Sequence, residues 1–421
     1  MARLIVKNIG PIKNVDIELK KVNVFMGPQS CGKSTLAKII SFCSWMEKRK
    51  FAEDKEFAPD FCAYKLMQTY HKLSDAYFSE SSKIVYVGEN LVYGYNCLQD
   101  EIRQYYTGDF LPFDNWSSDK DRVLLSDKKL INPKVIYIPA ERNFVSRVPN
   151  LYRYSEDRDN LQDFVSNWFD AKRHYTQKEQ MDVLNLGVSY FSSNQDVDRL
   201  TLESGAPLDL ISASSGLQSL VPLLVLIDWL AFGIYKNSRP YSPKEEQGLR
   251  FILQTLKDGD ASIDQKHLKE LSQRLMDIVK GRAYTHTQFI LEEPEQNLFP
   301  DTQCELLYYL LSAINHGKPH RMVITTHSPY ILYALNNCLL ANVVKNEIPD
   351  EMKRDITPSK LFIDAQDVAV WEIEDGQMKH YVEESPNSTI QDKDGLIRRN
   401  YFDNVMKKVM RDFNSLLMFK E

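Results

Sequence analysis

Gly27-Pro28-Gln29-Ser30-Cys31-Gly32-Lys33-Ser34-Thr35 fits the pattern G-x(4)-G-K-[ST] at every position. A short apolar run, Val22 to Met26, stands directly before it. Behind it Leu36, Ile39, Ile40 and Cys43 recur at helical spacing. A buried strand that turns through glycines straight into a helix confines the chain to α/β folds with this loop at a strand's C-terminal end. The glycines let the backbone curl so that successive N–H groups point inward, and the helix start adds its dipole. Such a loop cradles phosphate oxygens. Lys33 is expected to reach the β- and γ-phosphates of a nucleotide and Ser34 to ligate Mg²⁺, with Gly27, Pro28, Gln29, Ser30, Cys31, Gly32 and Thr35 completing the cradle. The plain alternative is a chance glycine turn with an exposed lysine; strand and helix in register argue against it. A P-loop alone names no enzyme class.

The second constraint is Thr287-Gln-Phe-Ile-Leu-Glu-Glu-Pro-Glu-Gln-Asn-Leu-Phe-Pro300. Its apolar run ends on Glu292 and Glu293, which repel each other and lose hydration at the end of a buried strand. Mg²⁺ would supply the missing counter-charge. Glu292 is then expected to hold the metal, directly or through water, and Glu293 to act as general base on the attacking water. Two solvated glutamates opening a loop are the alternative. Ile211-Ser-Ala-Ser-Ser-Gly-Leu-Gln218 opens an apolar helix, and its free N–H groups and hydroxyls form a second anion site, or else a plain serine N-cap. Thr325-Thr326-His327-Ser328-Pro329 closes another apolar run. His327 there is placed either to sense a γ-phosphate or to serve the structure alone.

The rest of the chain sets bounds. Its 421 residues suffice for two or three domains, or one large domain with insertions; they are 43% hydrophobic and 26% charged, with a net charge of −6. That balance gives no global reason to bind nucleic acid or an anionic membrane. No apolar run is expected to reach the roughly 18–20 residues that span a bilayer, because Pro222 and Asp228 interrupt the longest. The N-terminus lacks the marks of a signal peptide. Six cysteines without a CxxC pair read as reduced thiols in the cytoplasm. Further strands are expected at 3–9, 14–19, 84–88, 135–143, 289–293 and 321–327. Helices are expected near 60–78, 97–106, 156–185, 216–234, 302–316 and 400–418, with two charged helices in 243–281. Asp375-Gly376 between alternating segments marks a hairpin. No heptad pattern is sustained.

The order of the P-loop, SSGLQ, ILEEPE and TTHSP resembles the ABC-type ATPase heads of the RecF, SMC and OLD-nuclease group. The resemblance implies an α/β head with antiparallel N-terminal strands beside a mixed core sheet. It would span 1–340, with helical insertions at about 46–133 and 150–205 and a helical segment at about 238–284, followed by a small α/β extension at 341–421. It also implies hydrolysis of ATP with Mg²⁺ in a homodimer or higher even-numbered oligomer. Ser214, Ser215, Gly216 and Gln218 would meet the ATP held by another copy, and His327 would read its γ-phosphate. Pro294, Glu295, Leu298 and Pro300 match the P-E-x-x-L-x-P tail of the OLD-like branch. Two departures stand out: Glu292 where the group has aspartate, and IPAERN without the glutamine that senses Mg²⁺, leaving Glu141, Arg142 or Asn143 in its place.

Long coiled-coil arms are excluded by the missing heptads. After His327 the chain holds one DxD, Asp392-Lys393-Asp394; it lies in a polar stretch and reads as a solvated loop rather than a nuclease metal site. The resemblance therefore points to a stand-alone ATPase that switches a separately encoded effector, often a nuclease, as in bacterial antiphage systems. A RecF-like DNA-repair ATPase and an ATP-gated scaffold that sequesters a toxin are the alternatives. DNA has thin support: Lys48-Arg49-Lys50, Lys128-Lys129 and Arg398-Arg399 read as solvated faces. Tyr86, Tyr93, Tyr95, Tyr105 and Tyr106 read as core or partner contacts rather than stacking platforms.

Overall fold

The computed structural model describes residues 2–53, 62–106, 114–115, 121–125, 132–148, 151, 159–193, 197–236, 284–379 and 389–420. Among the described residues, twelve strands form one mixed sheet. Its parallel half runs β15 (Val368–Glu374), β3 (Val22–Met26), β14 (Arg321–Thr325), β13 (His286–Glu292) and β8 (Pro133–Ile138). These strands are buried on both faces, which is why they read as unbroken apolar runs. Val22, Val24 and Met26 enter a core built with four helices: α3 (Asn160–Lys172), α4 (Ser215–Asp228), α5 (Pro300–Asn315) and α6 (Pro329–Val343). Phe25 points the other way, toward the P-loop helix α1 (Lys33–Glu53), and stacks on Trp371 with ring centroids 4.9 Å apart.

The antiparallel half, β6 (Asp114–Asn115), β7 (Asp121–Leu125), β5 (Leu91–Tyr95), β4 (Lys83–Val87), β1 (Ala2–Ile9) and β2 (Ile12–Leu19), is joined to the parallel half by β16 (Gln377–Met378). The predicted hairpin makes the join. Asp375 and Gly376 both take positive φ, 51° and 77°, the geometry of a primed two-residue turn. β16 then pairs antiparallel with β15 and parallel with β2. A Cβ on Gly376 would stand 2.2 Å from the carbonyl oxygen of Pro11, so only glycine fits.

Several expectations are corrected. The stretch 46–133, expected as a helical insertion with one strand at 84–88, holds that strand as β4, α2 (Ala63–His71) and the short helix Gln99–Tyr105, and adds β5, β6 and β7. The helix expected over 156–185 stops at Lys172. From Met181 to Asp209 the chain forms a separate four-stranded antiparallel sheet of β9 (Met181–Asp182), β10 (Val188–Ser192), β11 (Asp198–Leu202) and β12 (Pro207–Asp209), where Tyr190 pairs with Leu200 in the core. Ser215–Lys236 does form a helix long and apolar enough, by length and composition, to cross a membrane. Its apolar window is 67% buried in the fold, Pro222 lies within it, and Asp228 accepts from the Tyr175 and Tyr309 hydroxyls at 2.6 and 3.2 Å. The helices expected in 243–281, nearly all of the 238–284 segment, and Lys128-Lys129 lie outside the described residues.

Tyr86, Tyr93 and Tyr95 are buried, so they stack on no nucleic acid base; Tyr93 instead donates to Asp121 at 2.9 Å. Asp392 is tied into its own turn by the amides of Asp394 and Leu396 and by Arg398. Replacing Gly376 with alanine is expected to destabilise the protein by about 1–3 kcal/mol and lower its thermal midpoint by roughly a few degrees. Asp375→Asn, which keeps a residue tolerant of positive φ, is expected to leave the midpoint within error. Calorimetry that finds Gly376→Ala unchanged would show that the join does not need the turn.

Candidate functional site

The C-terminal ends of β3, β14, β13 and β8 lie along one edge of the parallel half, the place where open α/β sheets bind ligands. The P-loop leaves β3 there. Gly27, at φ 142°, is pressed so closely on β15 that a Cβ would meet the Ile373 carbonyl oxygen at 2.1 Å. The loop is thus braced from behind by the sheet. Lys33 is buried, and its ammonium donates to the carbonyls of Gly27 and Pro28 at 2.9 and 2.7 Å; burial draws its pKa below the usual lysine range. Gln29, Ser30 and Ser34 are exposed, Pro28 is half-buried, and Cys31, Gly32 and Thr35 are buried.

β13 delivers the carboxylates. Its register with β14 sets Glu292 opposite Thr325, and the next residue, Glu293, turns at a positive φ of 43°. A non-glycine residue in that region carries strain, and its amide is held by the Thr325 carbonyl at 2.9 Å. The Glu293 carboxylate sits 3.4 Å from His327 Nε2; this hydrogen bond holds it below the usual carboxylate range. Glu295 is almost fully buried and accepts from the Thr326 hydroxyl at 2.9 Å and the His327 amide at 2.6 Å; burial pushes its own pKa up. Hence the P-E-x-x-L-x-P glutamate carries the backbone on which His327 stands. Glu292 is also buried, and its Oε1 has no hydrogen-bond partner among the described residues. Fully buried Tyr137 lies beside it, with its hydroxyl driven far above the usual range by burial and then by the Glu292 charge.

Of the three residues at IPAERN, Glu141 is exposed and Arg142 is fully buried. The Arg142 guanidinium donates to the carbonyls of Glu292, Glu293 and Pro294 at 3.0, 2.9 and 3.0 Å, and to that of Ser219 at 3.1 Å. It holds the carboxylate turn by its backbone and lends it positive charge, so its role differs from that of a solvent-facing metal sensor.

At the start of α4, Ser214 caps the helix, accepting from the Leu217 amide at 3.4 Å, and Ser214 and Ser215 are exposed. Gly216 packs on the Asn297 backbone. Gln218, expected to contact nucleotide, instead turns inward: its amide donates to Ile211 O at 2.8 Å and its oxygen accepts from Arg147 at 2.7 Å. The roles of Arg142 and Glu295 escaped the sequence reading. The one available signal was their closeness in sequence to the carboxylates and the strand ends.

The donors suit Mg²⁺. Among the described residues no three His, Cys, Asp or Glu side chains converge as a metal set. An unpartnered buried carboxylate oxygen on Glu292 and a hydroxyl on Ser34 are what Mg²⁺ takes from protein when phosphates and water complete its shell.

No family model matches the chain, and no curated protein matches it. Solved structures do align. The SMC head domain from Thermotoga maritima superposes with a TM-score of 0.34 and 12% identity, over 79% of this chain and 90% of that one. The ATP-binding cassette MJ0796, in a dimeric post-hydrolysis state bound to ADP and Pi, gives 0.29 and 12%, over 90% and 97%. An SMC head bound to the C-winged helix domain of ScpA gives 0.37 and 10%, over 79% and 90%. Identities and scores this low carry nothing about what the chain binds or does.

Glu295→Ala leaves a buried hydroxyl and a nearly buried amide without an acceptor. It is expected to cost about 2–3 kcal/mol of stability, read as a lower urea midpoint. A midpoint equal to that of the unaltered protein would remove Glu295 from this role.

Proposed function

We propose that this protein binds ATP with Mg²⁺ and hydrolyses it to ADP and phosphate, each nucleotide lying between the P-loop of one copy and Ser214–Gly216 of another. The observation that carries the reading is the gathering of the P-loop, Glu292, Glu293 and His327 along one strand edge, with the serines of a second anion-binding helix start exposed. Lys33 exchanges its loop carbonyls for phosphate oxygens. Glu293, held ionised, accepts the proton of the attacking water as the new P–O bond forms and the bond to ADP breaks. His327 donates to the γ-phosphate and reports its loss to Glu293. Bound Mg²⁺ offsets the negative charge of the phosphates and of Glu292.

Lys33→Ala is expected to abolish magnesium-dependent binding of a fluorescent ATP analogue. Glu293→Gln is expected to keep binding, lower turnover about 10²–10⁴-fold and trap a dimer with ATP. A Glu293→Gln protein that stays monomeric with ATP at high concentration on light scattering contradicts the sandwich. Unchanged nucleotide binding by Lys33→Ala contradicts the whole reading.

Closing and opening of the pair would switch a separately encoded effector in bacterial antiphage defence, within the reducing cytoplasm that the free cysteines suit. A protein partner is favoured over duplex DNA by α7 (Tyr401–Leu417). Its N-terminus is anchored by the Tyr401 amide on Glu372 at 2.8 Å, and it has no buried residue. Met406, Val409, Phe413 and Leu416 are exposed along one stripe, the mark of a protein-binding surface. Met406→Glu with Phe413→Glu is expected to abolish co-purification of the product of an adjoining gene while ATP turnover persists. If the effector stays bound to this variant, α7 is not its dock.

A further inference from the structure

Arg142 spans two parts of the molecule. Its Nε donates to Ser219, in the helix that presents Ser214, Ser215 and Gly216. Its two terminal nitrogens donate to Glu292, Glu293 and Pro294, the turn that presents the catalytic carboxylate. Among the described residues all its hydrogen bonds go to main-chain oxygens; the fifth, to Pro139 at 3.5 Å, ties it to the end of its own strand. A guanidinium is a planar fork with donors in fixed directions, so it transmits orientation as a lysine cannot. Buried here at 1% exposure, it makes movement of either end costly unless the other follows.

Three neighbours reinforce the same link. Ser146 donates to the Gln218 carbonyl at 2.9 Å, and Arg147 to the Gln218 side chain at 2.7 Å, so the segment after β8 grips α4 at consecutive residues. On the other side, Gly216 approaches the Asn297 carbonyl so closely that a Cβ would stand 2.9 Å from it. The anion-binding helix start and the carboxylate turn are therefore bolted together at two places, by a buried cation and by a backbone contact.

We propose that Arg142 is a positioning residue that couples the two nucleotide sites of a closed pair. The inference rests on the proposed function: each copy's Ser214–Gly216 meets the nucleotide on the other copy. Engagement there pulls α4, and Arg142 carries that displacement to Glu293 of the same copy. One site thus reaches its working geometry only when the other is filled, which makes turnover cooperative in ATP.

The test compares the full-length protein, Arg142→Lys, and the double variant Ser146→Ala with Arg147→Ala, which loosens only the helix end of the link. Binding of a fluorescent ATP analogue, ATP turnover against concentration, and ATP-dependent dimerisation are measured for each. The unaltered protein is expected to show a Hill coefficient above 1. Arg142→Lys is expected to keep the analogue's Kd within about threefold, lower kcat about tenfold or more, and bring the Hill coefficient to 1. The double variant is expected to lower the Hill coefficient in the same sense with a smaller loss of kcat. If Arg142→Lys does not fold, the double variant decides alone. A folded variant set with the unaltered Hill coefficient and kcat overturns the coupling, as does an unaltered protein that dimerises with ATP and turns over without cooperativity. Both leave the proposed function standing; absence of magnesium-dependent ATP binding in the unaltered protein removes that instead.

Discussion

Three carboxylates within four residues, Glu292, Glu293 and Glu295, stand at the end of a strand buried on both faces. Crowded acids in such a place repel one another and lose hydration, and the surrounding structure can be read as the response. One oxygen of Glu295 accepts from neutral donors, the Thr326 hydroxyl and the His327 amide. Glu293 is held ionised chiefly by His327. Arg142 contributes a full positive charge from within the core, while spending its donors on the backbone rather than on the acids. Glu292 Oε1 and Glu295 Oε2 have no hydrogen-bond partner among the described residues, and Glu292, at the end of the strand, is the one best suited to a divalent ion.

The same turn explains why the fold must be assembled from distant parts of the chain. The P-loop follows β3 near the N-terminus, the acids follow β13, His327 follows β14 and Arg142 follows β8. Only parallel pairing in the order β3-β14-β13-β8 brings these four ends to one edge. The hairpin at Asp375-Gly376 then fixes β15 against the far side of β3, where Ile373 braces Gly27. A glycine at the loop and a glycine at the hairpin are thus two ends of one packing arrangement, each where a side chain would collide with backbone.

Much of this was readable from residue patterns. VNVFM was placed to the residue, and the strands through Ile290 and Val323 were found because a strand covered on both faces is apolar throughout. The hairpin was found because a turn with two positive φ angles restricts residue choice severely. The misreadings have an equally physical origin. In 181–209 the strands are short and half-buried, so alternation is diluted by Asn, Asp and Ser, and the helix expected over 156–185 runs past Lys172 into the first of them. Gln218 is expected at the nucleotide only through the resemblance of SSGLQ to a signature motif; helical geometry rotates it inward, where it is buried.

By itself the sequence determined the local chemistry: which loop can wrap phosphate, which strand ends in acids, which helix starts on serines. These are properties of short runs, set by backbone freedom, hydrogen-bonding capacity and burial period. Only the tertiary structure decided which acid is free, which is clamped and which is paired with histidine, and that an arginine near residue 140 holds carbonyls 150 residues away. Such roles depend on who lies across the sheet, and strand order is settled by packing of the whole core rather than by any one segment.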